Sequence, residues 1–166
     1  MLKKLLPERS FQQLRDIKAS FLQQEGIRVL MLDFDNTIMA YPERLDPPWF
    51  KKWYESIREV GIRVCVVTNS RKPKARDFCR RWNIPIVSRA RKPSPRALER
   101  VWTRYHVSRE QCAMVGDQIF TDILAANRGW FHAYLVEPIL NHNLFLKARY
   151  RLQKIILNLA IRRYRT

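Results

Sequence analysis

The sequence lacks any apolar run long enough to cross a bilayer. The C-terminal stretch from Ile155 to Ile161 is seven residues long and interrupted by Asn158, against the roughly 20 a spanning helix needs. The opening MLKKLLPERSFQQL is basic, but Pro7, Glu8 and Arg9 break its apolar stretch, so no signal peptide is expected. Cysteine is scarce: Cys65, Cys79 and Cys112 make an odd number with no C-x-x-C pair. That excludes a disulfide framework and a zinc site, and a reducing cytoplasm is the expected compartment. Internal repeats and low-complexity linkers are absent as well. Acidic residues are few, 15 Asp+Glu against 32 Lys+Arg, so the chain carries a formal charge of +17. Such a charge attracts phosphate-rich partners, whether nucleic acid, anionic lipid or phosphorylated substrates, without choosing among them.

What is present fits one domain. A chain of 166 residues, 46% hydrophobic and 28% charged, has enough apolar material for a single core and is not disordered. Short β-branched runs recur at Val29 to Leu32, Arg63 to Val67, Ile84 to Val87, Ala113 to Val115 and His132 to Val136; these read as buried parallel strands. Helical patterns fill the intervals: Trp49 to Val60, Pro73 to Trp82, Ser94 to His106 and Thr121 to Arg128, with Gly61 and Gly129 placed as helix stops. The alternation predicts an α/β domain, a five-stranded parallel sheet with helices on both faces. Ligands of such sheets bind beyond the carboxyl ends of the strands. The core is expected over residues 28–137. An N-terminal helical extension (1–27, helix around Ser10 to Gln24) and a basic C-terminal helix (138–166, around Asn143 to Arg163) are expected to flank it, both amphipathic.

The charge is uneven. Arg71 to Arg109 holds 13 basic and 2 acidic residues, which is +11 of the +17, and residues 138–166 add 7 basic residues and no acid. Glu110 to Glu137 reverses the sign, with 4 acids against Arg128.

Chemistry gathers at the strand ends. The first strand runs into Asp33-Phe34-Asp35-Asn36-Thr37, where two carboxylates two residues apart project to one side of an extended backbone. Such a pair repels unless a proton or cation lies between, and a divalent metal is the natural answer; the bland alternative is an Asp capping the following turn. The second strand ends in Thr68-Asn69-Ser70, which offers a hydroxyl for a phosphoryl oxygen or an ordinary helix cap. Lys92 stands in a strand-to-helix loop, where a lysine is otherwise a solvated surface residue. Gly116-Asp117 follows the fourth strand, with Asp122 in the first turn of a helix, where it could equally compensate the helix dipole. His106, His132 and His142 have no metal-ligand spacing and read as structural or surface residues.

The order Asp-x-Asp-x-Thr, an apolar strand ending in Thr, Lys, then Gly-Asp-x-x-x-x-Asp resembles the haloacid dehalogenase (HAD) superfamily. The resemblance runs from about Val29 to Val136, and its details are similar to the YqeG family of IIIA-type HAD phosphatases, whose relatives include phosphatidylglycerophosphate phosphatases. It implies a Rossmann-like domain in which Asp33 is the nucleophile and Asp35 the acid/base. Mg²⁺ would be held by Asp33, the backbone carbonyl of Asp35 and Asp117, with Asp122 as a further or outer ligand. Thr68, Asn69 and Lys92 would bind the substrate phosphate.

HAD phosphatases often carry a cap domain after the first motif or between the second and third. Here Thr37 to Thr68 spans 31 positions and Thr68 to Lys92 spans 24, each used up by one helix and one strand, so no cap is expected. An open site suits a phosphate presented on something large. The basic terminal helices suit an anionic bilayer, or equally cover the sheet with their apolar faces and leave the charges solvated; the first reading implies peripheral contact at the inner membrane face, with phosphatidylglycerophosphate as substrate. Two alternatives stay open: a HAD phosphatase acting on a nucleotide, a nucleic-acid end or a phosphoprotein, and a basic RNA- or ribosome-associated binding protein. The latter is less favoured because no nucleic-acid motif or stacking platform is evident.

Overall fold

The computed structural model describes residues 2–40, 43, 45–139 and 144–164; His142 and the expected helix start at Asn143 lie outside the described residues. In chain order it contains β1 (Arg9–Phe11), α1 (Ala19–Gln24), β2 (Val29–Leu32), α2 (Phe50–Glu59), β3 (Arg63–Val67), α3 (Pro73–Arg81), β4 (Ile86–Val87), α4 (Arg96–Tyr105), β5 (Cys112–Gly116), α5 (Leu124–Gly129), β6 (His132–Val136) and α6 (Leu144–Tyr164). The strands form one parallel sheet in the order β1-β6-β5-β2-β3-β4. From β2 the chain winds outward through β3 to β4, then crosses back to β5 and β6, so the winding reverses between β2 and β5.

Alternation along the central strands divides the core into two layers. Leu30, Leu32, Val64, Val66, Ala113 and Val115 pack with α2, α3 and the N-terminal segment through Phe50, Trp53, Tyr54, Phe78, Leu14, Ile17 and Leu22. On the opposite face Val29, Met31, Cys65, Val67, Cys112 and Met114 meet α4 and α5 through Ala97, Leu98, Val101, Ala125 and Ala126. Burying each large apolar side chain contributes about 1.5–3 kcal/mol. Most tryptophans belong to these layers: Trp53 donates to the Ile17 carbonyl at 2.9 Å, while Trp130 is exposed. The three cysteines are buried free thiols.

Local signals explain the helix ends. α3 begins at Pro73 in its first turn, and α2 ends at Gly61, whose φ of 79° only glycine adopts freely. The second expected stop differs. Gly129 remains helical and Trp130 takes the left-handed conformation; a Cβ at Gly129 would meet the Phe131 ring at 2.5 Å, so this glycine answers to close packing.

The N-terminal region also departs from expectation. In place of an amphipathic helix over Ser10 to Gln24 there are β1, a 3₁₀ turn at Leu14–Asp16 and the short α1. β1 becomes a sixth strand by pairing with β6, and the sheet therefore begins before residue 28. Phe11, Leu14, Ile17 and Phe21 mimic helical spacing, yet Lys18 is extended, and each apolar side chain enters the core from its own short element. Phe11 and Phe21 pack edge-on at 5.3 Å beside Tyr134. β4 is shorter than read: Ile84 and Pro85 lead into a strand of Ile86–Val87 alone.

Beside β1, His132 Nδ1 hydrogen-bonds the Glu8 carboxylate, and that bond raises the imidazole pKa above its ordinary value of 6.5 against partial burial. A raised folded-state pKa stabilises fully below the unfolded value and is lost as pH rises through the folded one. Glu8→Gln is therefore expected to lower the melting temperature at pH 6, by no more than about 3 °C for so exposed a pair, and to leave it unchanged at pH 9; thermal scans at the two pH values check this.

Candidate active site

Every expected site residue lies at the carboxyl edge of the sheet. Asp33 follows β2, Thr68 follows β3, Lys92 follows β4, and Asp117 follows β5. The β2 and β5 contributions straddle the winding reversal, where α/β sheets open a crevice. Between β5 and α5 the chain makes one wide turn, Ile119–Ile123, hydrogen-bonded in π-helical fashion, which carries Asp122.

Lys92 is the centre of the arrangement. It is 5% exposed, and its ammonium reaches Asp33 Oδ1 at 2.7 Å, Asp122 Oδ1 at 2.7 Å and the Val67 carbonyl at 2.7 Å. Burial pulls its pKa down, but Asp122 and Asp33 outweigh that effect and hold it above the ordinary lysine value. Around this cation Asp33, Asp117 and Asp122, all buried, each place a carboxylate oxygen within 4.8 Å of the others. Burial lifts Asp33 to about 7 despite Lys92. Burial, then Asp33 and Asp122, raise Asp117.

With all three carboxylates ionised, one ammonium would leave two negative charges in a buried space, and Asp117 Oδ1 has no hydrogen-bond partner. Hard oxygen donors, a deficit of two positive charges and an orphaned buried oxygen fit Mg²⁺. The side chain of Asp35 is outside this cluster. It is half-buried and its pKa is raised by burial, with Lys74 and Lys72 as the nearest opposing charges.

The neighbouring groups position these side chains. The Asn69 carboxamide accepts from the Lys92 N–H at 2.8 Å and donates to the Lys92 carbonyl at 3.0 Å, so both of its ends clamp the lysine loop to the end of β3. The buried Thr68 hydroxyl accepts from Ser70 N–H at 3.0 Å. Gly116 is required by proximity: a Cβ there would lie 2.3 Å from Asp122 Oδ2. Asp122 in turn accepts from the Gln118 N–H at 3.1 Å.

α6 supplies groups with no strand-end signal. Tyr150 donates its hydroxyl to Asp117 Oδ2, and Gln153 donates to the Asp117 carbonyl at 2.9 Å while accepting from the Ile119 N–H at 3.0 Å. Arg149 donates to the Gln118 side chain. The aromatic and amide spaced three residues apart on a helix are the only trace of this role in the sequence.

A family model for haloacid dehalogenase-like hydrolases matches residues 13–129. The chain belongs to that family. HAD-type relatives and structures agree. It is 31% identical over 147 residues to "Probable phosphatase YqeG" of Bacillus subtilis, covering 88% of this chain and 86% of that one. It is also 31% identical over 145 residues to Phosphatidylglycerophosphate phosphatase 1 of Arabidopsis thaliana, covering 81% of this chain and 41% of that one. Among solved structures, 4-nitrophenylphosphatase from Thermotoga maritima shares the fold with a TM-score of 0.58 at 13% identity, over 73% of this chain and 89% of that one. The HAD chain described here is a phosphatase.

Tyr150→Phe removes the donor that orients Asp117 while keeping the ring. Loss of such a support typically costs about 10–100-fold in metal affinity, so the concentration of Mg²⁺ giving half-maximal phosphatase activity is expected to rise by that factor with the fold intact. Gly116→Ala, which displaces Asp122 itself, is expected to abolish Mg²⁺-dependent activity; metal titrations of both variants check the pair.

Proposed function

We propose that this HAD phosphatase is a Mg²⁺-dependent phosphomonoesterase that works through an aspartyl-phosphate and removes the terminal phosphate of phosphatidylglycerophosphate at a membrane surface. The observation that carries the mechanism is the Lys92 ammonium 2.7 Å from Asp33, with Asp117 and Asp122 close by. Asp33, held by Lys92, attacks phosphorus. Asp35, whose pKa burial raises above the ordinary carboxylate value, protonates the departing alcohol oxygen and then takes a proton from the water that opens the aspartyl-phosphate. Thr68 and Lys92 bear on the transferred phosphoryl oxygens. Asp33, Asp117 and Asp122, with the Asp35 carbonyl, would hold Mg²⁺, which supplies charge neutralisation at the phosphoryl group. Asn69 acts through Lys92.

The lipid substrate is supported by the likeness to the Arabidopsis enzyme and by what surrounds the site. Among the described residues Thr37 to Thr68 holds α2 and β3, and Thr68 to Lys92 holds α3 and β4, which supports an uncapped mouth. No helix among the described residues is long and apolar enough to cross a membrane. The outer face of α6, however, exposes Leu152, Ile155 and Leu159 at 52%, 57% and 55%, beside the exposed Lys147 and Arg151. An apolar stripe edged by cations suits the surface of an anionic bilayer, at about 1 kcal/mol per basic residue. This reading places the enzyme peripherally on the inner face of the membrane.

Vesicles containing phosphatidylglycerophosphate should release inorganic phosphate with wild-type protein and Mg²⁺, and chelation by EDTA should stop the release. Asp33→Asn should lower turnover by at least about a thousandfold, and Asp35→Asn by about 10²–10⁴-fold. Undiminished turnover by Asp33→Asn would overturn the mechanism. Hydrolysis of 4-nitrophenyl phosphate without hydrolysis of the lipid would overturn the substrate.

A further inference from the structure

The strongly basic stretch contains a feature that the catalytic arrangement leaves unused. Between β4 and α4 lies a cavity of about 550 Å³ lined by Ser88, Arg89, Arg91, Ser94, Arg96 and Arg100. Its volume falls in the range of small-ligand sites. Four arginines thus line one space. Among the described residues none of them pairs with a carboxylate; Glu99, the acid on the same helix, is taken by Arg109 at 3.7 Å. Like charges gathered without a counter-ion repel one another, and the ligand that relieves this is an anion. The planar fork of arginine matches the oxygens of a phosphate group.

The loop that lines the cavity is the loop that carries Lys92. Ala90 N–H donates to the Thr68 carbonyl at 3.0 Å and Lys92 N–H to Asn69 at 2.8 Å, so the loop is fastened to the end of β3. Residues 90 and 92 turn inward and are buried, while Arg89 and Arg91 turn outward. Both arginines hold left-handed backbone angles, with φ of 53° and 56°, a conformation that persists where surroundings impose it. Arg91 is the chain neighbour of Lys92, with about 3.8 Å between their Cα atoms, and Lys92 carries the amine proposed to bind the phosphate that is cleaved.

We propose that this arginine pocket binds a second phosphate group of the same substrate, the phosphodiester that links the lipid's glycerol to the headgroup. The inference rests on the lipid reading above and adds to it the group by which such a substrate is told from an ordinary phosphomonoester. A phosphodiester keeps one negative charge and offers two free oxygens, which the arginines and the hydroxyls of Ser88 and Ser94 can engage. The four arginines are exposed, so their hold on the diester weakens as salt rises.

The test uses binding, so that it does not depend on turnover. Glycerophosphoglycerol, which carries the diester and no monoester, is titrated calorimetrically into the full chain in low salt. Wild-type protein and Asp33→Asn should bind it alike. The double variants Arg89→Gln/Arg91→Gln and Arg96→Gln/Arg100→Gln should bind at least about tenfold more weakly, with melting temperatures recorded to show that they are folded. Absence of binding by the wild type, equal binding by the arginine variants, or loss of binding in Asp33→Asn would overturn the pocket. So would inorganic phosphate or an RNA oligonucleotide occupying it when the diester does not. Diester binding that depends on the arginines, in a protein that fails to hydrolyse phosphatidylglycerophosphate, would support the pocket and overturn the assigned lipid alone.

Discussion

The arrangement of this molecule turns on one charge imbalance. A single buried ammonium, Lys92, touches two carboxylates and lies beside a third. Burying ions costs several kcal/mol each unless partners offset it, and one cation cannot offset three anions. The remaining deficit suits a divalent cation; burial, with Asp122 and Asp35 beside it, lifts Asp33 to about 7 with a lysine 2.7 Å away.

The sheet order makes that imbalance possible. β2, β3 and β4 deliver Asp33, Thr68 and Lys92 from one half of the winding; β5 and the wide turn after it deliver Asp117 and Asp122 from the other. Lys92 offsets Asp33 on one side, while the other side carries two acids whose carboxylate oxygens lie within 4.8 Å of each other. Only the pairing of β2 with β5, in register from Val29 opposite Cys112 to Leu32 opposite Val115, brings the surplus charge together.

Much of this was legible in the residues. The strands β2, β3, β5 and β6 are continuous apolar runs because both of their faces are buried, and polar residues directly after such runs announce the rim of the sheet. Asp33, Thr68, Lys92, Asp117 and Asp122 meet there. Other features had no local signature. β1 is three residues long and is defined by pairing with a strand about 125 positions away, so a helical spacing of Phe11, Leu14 and Ile17 prevailed over an edge strand. Asn69 has the composition of a helix cap or a phosphate ligand; that its carboxamide instead clamps Lys92 depends on a loop 23 residues distant. Gly129 looked like a helix stop and proved to be room for the Phe131 ring.

The C-terminal helix lies beyond the segment that the family model matches, yet it braces the site. The family match ends at residue 129, whereas Tyr150 and Gln153, which grip the side chain and the carbonyl of Asp117, come from α6. The clustered acids thus belong to the part of the chain that the family model matches, and the clasp on Asp117 to a helix beyond it. Substitutions in that helix could reset how Asp117 is held while leaving every acid of the cluster in place.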